Sequence, residues 1–156
     1  MAPKDYPIES LLPHARPMIL LDRVIERDSN QLIAEVMVRP GIPFFRPDKG
    51  IAAHVAVEWM AQACGAYVGA RTLDAGMPVR VGFLLGTRDF NCRIAWFESG
   101  NILTVSTVLT YRQEDVAVFD CKVSRQDQVV AAAQLTVFQP ADMAALLASQ
   151  GIAHEK

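Results

Sequence analysis

Apolar and polar positions keep two different rhythms along this chain. Two β-rich runs, MILLDRVIE (18–26) and QLIAEVMVR (31–39), flank the turn formers Arg27, Asp28, Ser29 and Asn30, and together they predict a hairpin. RPGIPFFRPDKG (39–50) holds three prolines and two glycines and reads as a loop. From about Ile51 to about Leu73 nearly every residue is apolar or small, which predicts one long helix, stopped at Asp74-Ala75-Gly76-Met77-Pro78. Period two then takes over in four runs, 81–97, 101–113, 116–126 and 129–139, whose short polar breaks imply sequential antiparallel pairing. Pro140 ends the last run, ADMAALLAS (141–149) can form a short amphipathic helix, and residues from about 150 to 156 form a polar tail.

Two strands, a helix apolar on most sides and four more strands make an α+β chain. A curved antiparallel sheet wrapped around the helix would explain why that helix lacks a polar face, and this is the hot-dog arrangement. With 156 residues and no linker or repeat, a single domain spanning 1–156 is expected, large enough to bury roughly two-thirds of its unfolded surface. Segment 51–73 has the length of a membrane span, but His54, Glu58, Gln62 and Arg71 lie along it, and intramembrane charge is costly; an enclosed soluble helix is the better reading.

Hydrophobic residues make up 51% and charged residues 21%, with a net charge of -2, so the chain lacks the basic excess that nucleic acid would demand. The opening MAPKDYPIES carries no apolar run, so no secretory leader is expected. Cys64, Cys92 and Cys121 are odd in number and widely spaced, which argues for buried thiols in a reducing cytoplasm rather than disulfides or zinc. No cluster has metal-ligand spacing.

LLPHARPMILLDRVIE (11–26) resembles the N-terminal signature of 3-hydroxyacyl-acyl-carrier-protein dehydratases, carried here by Leu12, Pro13, His14, Pro17, Asp22, Arg23 and Val24. VEWMAQACG (57–65) is similar to that family's helix motif, an acid followed by Met-Ala-Gln-Ala, and TRDFNCRIAWFESGNILTV (87–105) is loosely compatible with its next segment. With GFLLGTRDF, the set looks most like the dehydratase-like proteins of aryl-polyene biosynthesis clusters. The resemblance implies a hot-dog dimer, homomeric or with a related subunit, joined at sheet edges with acyl tunnels at the interface. It implies substrates carried as acyl-carrier-protein or coenzyme A thioesters on phosphopantetheine, with no cofactor. In that family the helix acid works with a histidine in the loop before the helix, and GIPFFRPDKG has none. The matched motif thus carries over Glu58 and its neighbour Gln62, but no base.

Dehydration needs a base for the proton beside the carbonyl, an acid for the departing hydroxyl, and donors for the enolate-like oxygen. Glu58, set among Val55, Val57, Trp59 and Met60, suits the acid if burial raises its pKa; the other reading is a carboxylate paired across a subunit interface. Gln62, one turn on, is placed to orient that carboxyl. His54, four residues before Glu58, is the candidate base, or else a hydrogen-bonded first-turn residue. His14 is expected to pin the motif loop and position substrate, while His154 lies in the tail. Backbone N–H groups of Ile51, Ala52 and Ala53 at the expected helix start are candidate oxyanion donors. Arg39, Arg46 and Lys49 form a basic rim that either meets an acidic carrier or is simply solvated. Gly65-x-x-x-Gly69 reads as close helix-to-sheet packing. Three functions stay open: dehydration of carrier-bound 3-hydroxyacyl groups, a weakly or non-catalytic subunit supporting a partner dehydratase, and thioester hydrolysis.

Overall fold

Alternation of small or branched apolar residues with polar ones decides which strands cover the helix. The computed structural model describes residues 6–13, 15–80 and 82–140. His14, His154, the helix expected at 141–149 and the tail fall outside those residues. The hairpin consists of β1 (Arg23–Arg27) and β2 (Gln31–Met37), antiparallel with Arg23 opposite Glu35. β6 (Ile102–Gln113), β7 (Val116–Arg125) and β8 (Gln128–Phe138) continue the same sheet. Alternate residues on one face are fully buried: Leu32, Ala34 and Val36, then Leu103 and Val105, then Phe119, Cys121 and Val123. That face is the floor on which the central helix α2 (Ala56–Asp74) lies.

The helix buries Ala56, Trp59, Met60, Ala63, Cys64, Ala66, Tyr67, Gly69 and Ala70, most of its circumference, which is why its sequence has no polar stripe. Trp59 packs on Phe97 with ring centres 4.9 Å apart, and Tyr67 meets Phe119 edge-on at 5.6 Å. Cys64 Sγ lies 3.2 Å from Thr107 Oγ1 and 3.6 Å from Cys121 Sγ. Burial raises the Cys64 thiol well above its usual pKa, so it stays protonated. Cys64 and Cys121 are buried and Cys92 is partly exposed. A thiol-reactive dye should therefore label Cys92 in the native protein, and Cys64 and Cys121 only after unfolding.

Three boundaries differ from the sequence pattern. The helix starts at Ala56, not Ile51: Ile51–Ala52 is a short strand, β3, and Ala53–Val55 is a 3-10 turn. The run 81–97 is two strands, β4 (Phe83–Cys92) and β5 (Trp96–Phe97), because β5 turns away to pair with β3. Among the strands after the helix, pairing is sequential only for β6, β7 and β8, while β4 lies beyond β8 in the sheet order β1-β2-β6-β7-β8-β4. That order leaves β4 as an edge strand, exposed along nearly its whole length.

A short helix, α1 (Ile8–Leu11), packs against α2. Gly69 makes this approach possible: a Cβ there would collide with the Leu11 carbonyl, and one at Gly65 would reach Leu12 Cδ2 at 3.1 Å. The small-residue spacing thus serves helix against the N-terminal segment rather than helix against sheet. At the far end of α2, Asp74 accepts from Arg27 at 3.0 Å and from Tyr6 at 2.9 Å.

Candidate active site

One strip of α2 is left uncovered by the sheet. Glu58, Ala61, Gln62, Gly65 and Val68 lie along one side of the helix and line a groove of about 230 Å³. Its second wall is the motif loop, through Leu12, Pro13 and Met18; its third is the start of β4 with the end of β8, through Phe83, Leu84 and Val137. The lining is apolar except for Glu58, Gln62, Arg80 and Gln139.

Glu58 stands in the first turn of α2 and is exposed in the single chain, against the expectation that Val55, Val57, Trp59 and Met60 would bury it. The reason is helical geometry. Trp59, Met60 and Val55 point into the sheet and are buried, while Glu58 points into the open groove.

Gln62 does something other than orient that acid. Its Nε2 donates to the Met18 carbonyl at 2.7 Å and its Oε1 accepts from the Leu20 N–H at 2.7 Å. One amide thereby satisfies two backbone groups of the Met18–Leu20 segment in the manner of a neighbouring strand. Arg16 Nη1, donating to the Ile19 carbonyl at 2.7 Å, secures the same segment. Gln62→Ala should cost about 1–3 kcal/mol by orphaning both loop groups, read as a lower midpoint in urea unfolding. It should also speed hydrogen exchange at the Leu20 amide.

His54 is exposed and sits in the 3-10 turn ahead of α2, so its four-residue spacing to Glu58 is not that of one continuous α-helix. No hydrogen bond joins the two among the described residues. The oxyanion donors expected at Ile51, Ala52 and Ala53 are not a free helix start. Ile51 and Ala52 pair with Phe97 and Trp96, and Ala53 N–H donates to the Ala95 carbonyl at 3.0 Å.

The basic rim divides. Arg39 is held by Asp22 at 3.1 Å, and Asp22 also accepts the Met37 N–H at 2.6 Å, so this part of the motif fastens the end of β2. Arg46 and Lys49 instead lie over the Trp96 ring, at 5.9 and 5.1 Å from its centre. Their loop is closed by the paired backbones of Arg46 and Gly50. Gly50 has φ +97°, and a Cβ there would strike the Phe97 carbonyl.

Met18, Phe83, Leu84 and Arg80 are groove residues that the sequence pattern did not single out. A clue existed: Phe83-Leu84-Leu85 breaks the alternation of a half-exposed strand, the mark of a strand meant to be covered on both faces. Among the described residues there is no helix long and apolar enough to cross a membrane and no grouping of side chains suited to a metal.

A six-stranded antiparallel sheet curled around one long helix, with a carboxylate lining a groove along that helix, defines a hot-dog protein. The model of the ApeP-like family, described as ApeP dehydratase, matches residues 6–148, and the chain belongs to that family. No curated protein matches. Among solved structures, the dehydratase heterocomplex ApeI:P from Xenorhabdus doucetiae superimposes with a TM-score of 0.88 at 28% identity, covering 94% of this chain and 99% of that one. A hypothetical thioesterase protein with coenzyme A from Streptococcus pneumoniae shares the fold at TM-score 0.61 and 14% identity, over 76% of this chain and 84% of that one. The protein smu.793 from Streptococcus mutans, bound to acetyl CoA, does so at 0.62 and 17%, over 83% and 95%.

Proposed function

We propose that this chain takes part in dehydrating 3-hydroxyacyl thioesters carried on acyl carrier protein, as one of two hot-dog subunits whose contact closes the groove over Glu58. The observation that carries this is the edge strand β4. Phe83, Leu84 and Leu85 are 42%, 42% and 58% exposed, and the first two line the groove that holds Glu58. An uncovered apolar edge of this length invites another strand. A partner laid along it would exclude water from the groove around the carboxyl.

In the reaction the bond between the proton and the carbon beside the thioester carbonyl breaks, its electron pair forms the C=C bond, and the C–O bond to the hydroxyl breaks. Glu58 protonates the departing hydroxyl, which leaves as water. The elimination is redox-neutral and calls for no redox cofactor. The acyl group arrives on phosphopantetheine, and Arg46 and Lys49, held beside the helix start by Trp96, offer the positive charge that an acidic carrier or a phosphate would meet. A cytoplasmic setting fits the free thiols Cys64, Cys92 and Cys121.

The base is the open member of the set. With no histidine in loop 39–50 and His54 exposed in its 3-10 turn, a second reading is favoured by the same geometry: this chain supports a partner dehydratase that brings the base. The membership of a related chain in a dehydratase heterocomplex agrees with it. Mass spectrometry of a 3-hydroxyacyl carrier protein after incubation separates the readings. Loss of water with the chain alone supports the first, and loss of water only when a hot-dog partner is added supports the second. Loss of the whole acyl group identifies a thioesterase and overturns both.

A further inference from the structure

The sheet-facing side of α2 holds three polar side chains that dehydration leaves unused. Cys64 Sγ, Thr107 Oγ1 and Cys121 Sγ close a triangle with edges of 3.2, 3.5 and 3.6 Å. They come from α2, β6 and β7, and Thr107 stands directly opposite Cys121 in the β6–β7 register. All three are buried, Cys64 and Thr107 completely, and none is among the described residues that line the groove.

Two thiols meeting across a helix-to-sheet boundary are close to a covalent bond. A disulfide holds its sulfurs about 2 Å apart, so each sulfur has to move by less than about 1 Å toward the other. The pair also divides the labour of oxidation. Cys64 stays protonated and donates to Cys121, and that hydrogen bond, helped by Thr107, lowers the Cys121 pKa against the opposing effect of burial. Cys121 is therefore the sulfur that ionises first, and a thiolate is the form that attacks an oxidant.

We propose that Cys64 and Cys121 are a redox-modification site: a peroxide converts them to a disulfide that ties α2, the helix carrying Glu58 and Gln62, to β7. The Cys121 thiolate attacks one peroxide oxygen, the O–O bond breaks, and the departing hydroxide takes a proton to become water, leaving a sulfenic acid. Cys64 Sγ then displaces the hydroxyl from the Cys121 sulfur, which forms the S–S bond and releases a second water. Each sulfur gives up one electron and the peroxide accepts two. Hydrogen peroxide is nearly as small as water and reaches the pair through local openings, whereas a dye requires unfolding.

The test takes the full chain in a Cys92→Ser background, which removes the partly exposed thiol, and treats it with hydrogen peroxide while folded. The chain is then unfolded without reductant and given a thiol-reactive dye. It should take up no dye, weigh two hydrogens less than the reduced form, and yield its Cys64 and Cys121 peptides joined after proteolysis. Dithiothreitol should restore labelling at both. Because the two cysteines lie 57 positions apart, the closed loop restricts the unfolded chain, and the melting temperature should rise by on the order of 5–10 °C. In Cys64→Ser, where no second thiol is in reach, dimedone should trap sulfenic acid at Cys121. Dye uptake at both sulfurs after peroxide, oxidation of Cys121 beyond the sulfenic stage with Cys64 still free, or a disulfide that forms only in denaturant overturns the proposal. A disulfide that lowers the melting temperature overturns it as well, by showing that the sulfurs meet only in a distorted fold. None of these measurements uses an acyl substrate, so failure of the dehydratase reading would leave them unchanged.

Discussion

Glu58→Gln should reduce enoyl formation from a 3-hydroxyacyl carrier protein by about 10²- to 10⁴-fold, the range that a positioned acid or base contributes. Gln keeps the shape and the hydrogen-bonding reach of Glu but cannot donate a carboxyl proton, so the loss isolates proton transfer from packing. Glu58 is exposed in the single chain and lines the groove, so the substitution should leave the melting temperature nearly unchanged. The measurement is initial rate by mass spectrometry of the carrier, with a related hot-dog chain added as in the proposed pairing. A rate equal to that of the native pair would remove Glu58 from the chemistry and leave this chain a scaffold. His54→Ala run beside it distinguishes the base: a comparable loss would put His54 to work despite its 3-10 turn, and full activity would assign the base elsewhere.

The second large effect is on stability. Alanine is favoured over glycine within a helix by about 1 kcal/mol, so an exposed Gly69→Ala change would stabilise α2. Here its Cβ would occupy the space of the Leu11 carbonyl, with backbone rather than a flexible side chain on the other side. Overpacking of this kind costs about 1–3 kcal/mol or more, and rigid backbone places it at the upper end, which outweighs the propensity gain. The net expectation is a loss of about 2 kcal/mol, a fall of roughly 4–8 °C in melting temperature for a domain of this size, followed by differential scanning calorimetry. Gly65→Ala, which meets only the mobile end of Leu12, should cost less. An unchanged or raised melting point for Gly69→Ala would mean that α1 does not hold its seat on the helix in solution.

Elements whose partners are close in sequence were the legible ones. The hairpin, the strands from Ile102 to Phe138 and the existence of one enclosed helix all follow from local periodicity, because each strand shows α2 one face and solvent the other. What local pattern could not supply was long-range choice. Small apolar residues at Ile51–Ala53 suit a helix or a strand equally, and pairing with Trp96 and Phe97 decided for the strand. Nothing in β4 names β8 over β6 as its neighbour. At the candidate site, the motif pointed to Glu58, which lines the groove, but its surroundings were misjudged, because adjacent letters in a helix point to different sides. The neighbours named by spacing were wrong for Gln62 as well: it is committed to Met18 and Leu20, more than forty residues away.

The uncovered edge of β4 has a consequence for how the protein must be made. Its Phe83–Leu85 stretch is open to whatever strand arrives first, and a newly synthesised copy meets many strands besides the right one. On the proposed pairing, supply of the second subunit in step with this one becomes a condition of yield, and a chain produced in excess is exposed to aggregation and degradation. Under that pairing, matched synthesis of the two chains would protect β4 without altering the residues that a partner would have to recognise.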